Sequence, residues 1–278
     1  MADANHTILT VTTMRMIVDS NYLNDPALAT YLASSPANIV ALCDYAAIEA
    51  YKAQPSLESM VASMAILADF PNQVIVLKRS ATIQKLKLSA DGNQRRMIDA
   101  SRTKDFPHFC RQLMAAKDGS DFYAAQVRNH GIDAAKYADE SLEAAGEIHE
   151  FVCGLATGFT DNQLAQFRDS QTWSDDLFIK VKGHLLEMAV EIHSTASIDI
   201  QKLRYSLTFR YVMCCYLMAL RWISNGKPPK NPAKVRNHVF DCGFAAYATF
   251  FDGFLSCDRE ALITYKQAVS MLKRFDQS

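Results

Sequence analysis

The 278-residue chain is poor in glycine (10) and proline (8) and holds only two tryptophans. So few turn-forming residues argue against a turn-rich all-β sandwich or barrel and exclude a collagen-like repeat. Neither charge is in excess, with 29 Lys and Arg against 30 Asp and Glu and a net charge of -1. This excludes a globally basic nucleic-acid binder but leaves room for a locally basic face. The seven cysteines (Cys43, Cys110, Cys153, Cys214, Cys215, Cys242 and Cys257) form no C-x-x-C pair, and their number is odd. A disulfide framework and a cysteine-ligated zinc site are therefore disfavoured, and reduced, buried thiols in a cytoplasmic protein are expected. No basic segment followed by a long apolar run opens the chain. The most apolar stretch, Tyr211 to Leu220, is flanked by Arg210 and Arg221 and is too short for the ~20 residues that cross a bilayer. No membrane association is expected.

What is present is a large apolar fraction (49%) with 21% charged residues, enough to bury a sizeable core. Met16-Ile17-Val18 is a short apolar run that ends abruptly in Asp19. It reads as a buried strand presenting an acid at its end. Residues 26–34 read as helix, and Asn38 to Cys43 is ambiguous between a strand and a helix start. Asp44 to Lys52 and Ser56 to Phe70 carry apolar residues at helical spacing. Val74 to Leu77 is β-branched and bounded by turn residues, a second strand. From Thr82 to about Ser224 the β signals nearly vanish. Residues 203–223 are apolar on almost every side, which places that helix in the core. Asn225 to Pro232 is the one long Pro/Gly-rich loop. A helix over Val235 to Phe250, a short strand over Gly253 to Asp258 and a helix over Arg259 to Phe275 complete the chain.

Separated strands with helices between them imply an α/β fold with a small parallel sheet and helical crossovers. In such sheets, sites are built at the carboxyl ends of the strands. Asp19 and Asp258 each follow a predicted strand, Asp241 lies on the helix leading to the last strand, and Glu49 lies on an early helix. Carboxylates brought together at one sheet edge repel one another and call for a cation. All-oxygen ligation suits Mg²⁺ or Mn²⁺.

The run Met16-Ile17-Val18-Asp19-Ser20-Asn21 resembles the opening strand of PIN-like domain nucleases, an apolar strand ending in Asp followed by Ser/Thr and Asn. The segment from Asp241 to Arg259 resembles the second hallmark of that family, a helix carrying one acid that leads to a short strand and Ser256-Cys257-Asp258. The resemblance implies a PIN-like three-layer fold, with residues 1–80 and 226–278 as the nuclease core and 81–225 as a mostly helical insertion packed on it. It implies metal-dependent hydrolysis of phosphodiesters, most often in RNA. Asp19, Glu49, Asp241 and Asp258 would be the catalytic and metal-holding acids, and Ser20, Asn21 and Ser256 would orient an acid or a water. Asp44 and Glu58, on adjacent predicted turns, remain alternatives to Glu49. Asp252 competes with Asp258 as a metal ligand, and Asp258 is preferred because it ends the strand, as Asp19 does. A non-catalytic PIN-like scaffold is the alternative reading, with the insertion docking a protein partner or a second copy of the chain.

A polyanionic substrate needs cations beside such a pocket. Lys78, Arg79, Lys85, Arg95 and Arg96 lie in a stretch that also holds Lys87, and Lys230, Lys234 and Arg236 follow Lys227 in the acid-free loop. Both stretches are expected to touch a phosphate backbone. Cys214 and Cys215 read as inert core, and Trp173 and Trp222 as packing residues.

Overall fold

The computed structural model describes residues 13–52, 56–86, 89, 91–156, 158–168, 173–193, 200–226 and 229–277. Lys87 and Lys227 therefore lie outside the described residues. The chain begins with β1 (Met14–Val18), α1 (Pro26–Ser34), β2 (Asn38–Leu42), α2 (Asp44–Lys52), α3 (Ser56–Asp69) and β3 (Val74–Val76). A helical run follows: α4 (Ser80–Ile83), α5 (Asn93–Met97), α6 (Ala100–Lys117), α7 (Asp121–Ala156), α8 (Asp161–Arg168), α9 (Asp175–His193), α10 (Ile200–Leu203) and α11 (Leu207–Ser224). The chain closes with α12 (Pro232–Ala248), β4 (Gly253–Leu255) and α13 (Arg259–Gln277).

The four strands form one parallel sheet in the order β3-β2-β1-β4. The run Asn38–Leu42 is thus strand, paired with β1 through Met16 and Val40. Ile17 and Val18 are adjacent and both fully buried, so both faces of the central strand are covered, as a parallel sheet requires. The first three strands advance in one direction, and β4 then returns to the free side of β1. The strand order reverses between β1 and β4, the kind of point where α/β sheets open a crevice at their carboxyl edge.

Local signals explain several helix ends. Asp25 caps α1 by accepting from the Ala27 amide at 2.8 Å with Pro26 in the first turn, and Asn231 caps α12 through Ala233 at 2.9 Å. Ser206 caps α11 by accepting from the Phe209 amide at 3.1 Å. The helix expected over 203–223 therefore starts only at Leu207, after a break. Within α11, Phe209, Met213, Tyr216 and Leu217 are buried.

The middle helices do not stand apart. α7 packs along α2 and α12, α6 along α3 and β3, and α11 against α12 and α13. Leu113, Leu185 and Met213 belong to the same buried cluster as Ile17 and Phe254. Buried Arg221 ties α11 to α13 through Gln267, Thr264 and the Glu260 carbonyl. No helix among the described residues is long and apolar enough to cross a membrane.

Gly243 of α12 faces the Tyr45 ring of α2. A Cβ there would lie 2.5 Å from Cε2 of Tyr45, so a side chain at this position would require the Tyr45 ring or the helices to shift.

Candidate functional site

β1 delivers Asp19 at its carboxyl end, and the Asp19 amide continues the ladder to the Leu255 carbonyl at 2.9 Å. The carboxyl is 1% exposed. Burial, reinforced by the negative charges of Asp241 and Glu49, pushes it up to about 6, while a hydrogen bond from Ser256 works against this rise. Ser256 donates its hydroxyl to Oδ2 of Asp19 at 2.6 Å. The Ser20 hydroxyl sits between two carboxylates, 3.3 Å from Oδ1 of Asp19 and in contact with Oε2 of Glu49. One hydroxyl proton can serve only one of them at a time.

Glu49 projects from α2 toward Ser20, which separates it from its two alternatives. Asp44 has its carboxylate engaged elsewhere, accepting from the Ser80 amide at 2.7 Å and from the Tyr247 hydroxyl at 3.4 Å. Glu58 lies exposed at the start of α3.

α12 supplies Asp241. Burial raises this carboxyl above its ordinary range, the charges of Asp258 and Glu49 push the same way, and the neighbouring His238 imidazole lowers it. His238 Nδ1 lies 3.6 Å from Oδ2 of Asp241, one helical turn earlier. The imidazole also packs edge-on against Trp222, with ring centroids 5.5 Å apart. His238 was absent from the sequence-predicted set. The signal was available, since His and Asp three residues apart share a helix face.

Asp258 reaches the same cluster, but not as the end of a strand. β4 stops at Leu255, and the last three residues of the strand expected over 253–258 form a turn. Asp258 Oδ1 accepts from the amides of Glu260 (2.7 Å) and Ala261 (3.0 Å) and so caps α13, while its own amide donates to Ser256 at 2.9 Å. One oxygen of Asp258 remains uncommitted by these bonds. Asn21 accepts from the Cys257 amide at 2.9 Å. It positions this turn rather than an acid.

Asp252 is a correction. β4 runs parallel to β1, so the residue before it lies at the amino edge of the sheet, opposite Asp19. There Asp252 Oδ2 accepts from the Arg15 amide at 2.7 Å, and its own amide donates to the Arg15 carbonyl at 2.9 Å. It cannot share an ion with Asp19.

The cationic set divides. Lys78 donates to the Arg96 carbonyl at 2.8 Å, and Arg96 bonds to the Asp91 carbonyl (2.9 Å) and to Oδ1 of Asn93 (2.7 Å). These two half-buried cations hold the connection between β3 and α6 together through those bonds. Arg79, Lys85, Arg95, Lys230 and Lys234 are exposed, and Arg236 is half-buried. Cys214 is fully buried and its thiol is pushed far up by desolvation, in keeping with an inert core residue.

Four acids from four separate elements thus sense one another electrostatically at the carboxyl edge, beside the strand-order reversal. Their donor chemistry fits a hard divalent cation. As they stand, no three His, Cys, Asp or Glu side chains among the described residues form a group close enough to hold an ion. No protein-family model matches the chain, and no curated protein and no solved structure matches it.

Proposed function

We propose that this chain is a divalent-metal-dependent nuclease of the three-layer PIN-like kind that hydrolyses phosphodiester bonds, with RNA as its substrate. The observation that carries the reading is that Asp19, Glu49, Asp241 and Asp258 stand within electrostatic reach of one another at the carboxyl edge of a parallel sheet, where the strand order reverses. Carboxyls whose ionisation is opposed by burial and by one another gain most from a cation. A bound Mg²⁺ or Mn²⁺ supplies an activated water and neutralises charge on the phosphate oxygens.

The protein's own part is placement. Ser256 and Ser20 orient the Asp19 carboxylate, Glu49 and Asp241 complete the oxygen set, and Asp258 offers its uncommitted oxygen. His238 stands beside Asp241, 3.6 Å from its carboxylate. No serine or histidine nucleophile is required. The exposed cations Arg79, Lys85, Arg95, Lys230 and Lys234, with half-buried Arg236, are the groups left to receive the strand. The rival reading, a non-catalytic scaffold of the same architecture, draws on the commitment of one Asp258 oxygen to capping α13.

The test combines two measurements on the full chain. Single-stranded RNA and DNA are incubated with Mn²⁺ or Mg²⁺ and with wild type or Asp19→Asn. Melting is followed with and without Mn²⁺ for wild type and Asp258→Asn, since Asn preserves a helix cap while removing the charge. The expected outcome is metal-dependent RNA cleavage that Asp19→Asn abolishes, and Mn²⁺ stabilisation that Asp258→Asn weakens. Cleavage unchanged by Asp19→Asn would remove the site from the chemistry. Absence of both cleavage and Mn²⁺ stabilisation would leave the scaffold reading.

A further inference from the structure

A cavity of about 250 Å³ opens beside the carboxyl ends of β2 and β3, enclosed by α2, α3 and α6. Its floor is the strand ends Leu42, Val76 and Leu77. Its volume falls just below the ~300–1,000 Å³ of pockets for drug-sized ligands, so it has room for one flat ring system. The walls are sulfur and aromatic surface, Met60 and Met64 from α3 facing Phe106 and Phe109 from α6, whose rings lie 6.0 Å apart. At the mouth stand exposed Arg102 and Asp105, one turn apart on α6, with the Tyr51 phenol near enough to feel the guanidinium charge.

We propose that this cavity is a nucleobase-binding site, taking one unstacked base of the strand whose phosphate lies at the acids. The choice of ring rests on the nuclease reading above. Three observations support it. First, the cavity shares the carboxyl edge of the sheet with the acids. The ends of β2 and β3 are one and two strand spacings from β1, about 5 and 10 Å, and Asp44 at the end of β2 lines the cavity wall. Second, apolar and aromatic walls with a polar mouth are what an extruded base requires, stacking inside and hydrogen bonds along its edge. Third, the mouth pairs a five-donor guanidinium with an acceptor-only carboxylate. A base edge carries both donors and acceptors and matches that pair. An anionic amphiphile would meet the carboxylates of Asp105 and Asp44 against the single positive charge of Arg102.

The experiment is saturation-transfer NMR and calorimetric titration of the full chain, without metal, using adenosine, guanosine, cytidine and uridine, with dodecanoate as an apolar anion for comparison. At least one nucleoside is expected to bind with its base protons in closest contact. Ala47→Phe, which grows a ring into the cavity from α2, is expected to weaken that binding about tenfold or more, in line with the loss of a stacking contact. Because Ala47→Phe could disturb folding, Arg102→Gln at the exposed mouth is tested as well. It is expected to lower the affinity and alter the order of preference among the four nucleosides while leaving the melting temperature unchanged. Asp19→Asn is expected to keep nucleoside binding while losing the Mn²⁺ response, so failure of the metal site and failure of the cavity are read separately. The proposal is overturned if no nucleoside binds at millimolar concentration, if neither Ala47→Phe nor Arg102→Gln alters binding, or if dodecanoate binds more tightly than every nucleoside.

Discussion

Replacing Asp19 by Asn separates charge from shape at the most buried carboxyl of the cluster. The wild-type group rises from an ordinary 3.8 to about 6 in the folded protein, chiefly through burial. A gap of that size corresponds to about 3 kcal/mol. The carboxyl is 1% exposed, so solvent screening removes little of it. The sign follows from proton linkage. Between pH 4 and 6 the folded protein holds a proton that the unfolded chain has released, so raising the pH through this window destabilises the wild type. Below the window both states are protonated and the penalty is absent, and above it the full penalty stands. Asn carries no such charge. Urea unfolding of both proteins in chelator-treated buffer, from pH 3.5 to 7.5, should show Asp19→Asn gaining on wild type by about 3 kcal/mol across the window and by nothing more above it. In a chain of this size that corresponds to roughly 5 °C in melting temperature. Mn²⁺ at neutral pH should narrow the gap by stabilising the wild type alone. A difference between the two proteins that stays flat with pH would refute the reasoning, because the Asp19 carboxyl would then ionise as freely in the folded state as in the unfolded.

Two further outcomes follow from the same geometry. Ser256→Ala removes the hydroxyl donor 2.6 Å from Asp19 and should drive that carboxyl above 6, measurable by carboxyl-selective NMR titration. A value at or below 6 would mean Ser256 does not favour the ionised form. Gly243→Ala places a methyl against the Tyr45 ring and should cost about 1–3 kcal/mol through overpacking, read by denaturant unfolding. It should also loosen Mn²⁺ binding, because α2 and α12 carry Glu49 and Asp241, and stability equal to wild type would show that the Tyr45 ring yields without cost.

Much of the sheet was legible from sequence because its strands are short apolar runs that stop at polar residues, as Met16-Ile17-Val18 stops at Asp19 and Val74–Val76 stops before Lys78. Asn38–Leu42 stayed ambiguous because four apolar residues without alternation, Ile39 to Leu42, suit a doubly covered strand or a helix start equally well. Its pairing with β1 decided the matter. Strand direction settled what local pattern left open at the last acid. In a parallel sheet the residue before a strand and the residue after it lie at opposite edges, which sends Asp252 away from Asp19. The cap made by Asp258 was written in the residues that follow it, Arg259-Glu260-Ala261 opening a helix, but the apolar run before it drew the eye to the strand. The fates of Lys78 and Arg96 were beyond reach, because which backbone carbonyl a cation meets depends on the path of a loop.

The bond between Ser256 and Asp19 spans 237 positions of the sequence, with most of the helices made in between. The nascent polypeptide therefore carries Asp19 without Ser256, Asp258 or β4 beside it until the ribosome has added more than two hundred further residues. Any activity that needs the whole array is therefore withheld until the ribosome has passed Asp258 and β4 has docked beside β1, a built-in delay that requires no inhibitor.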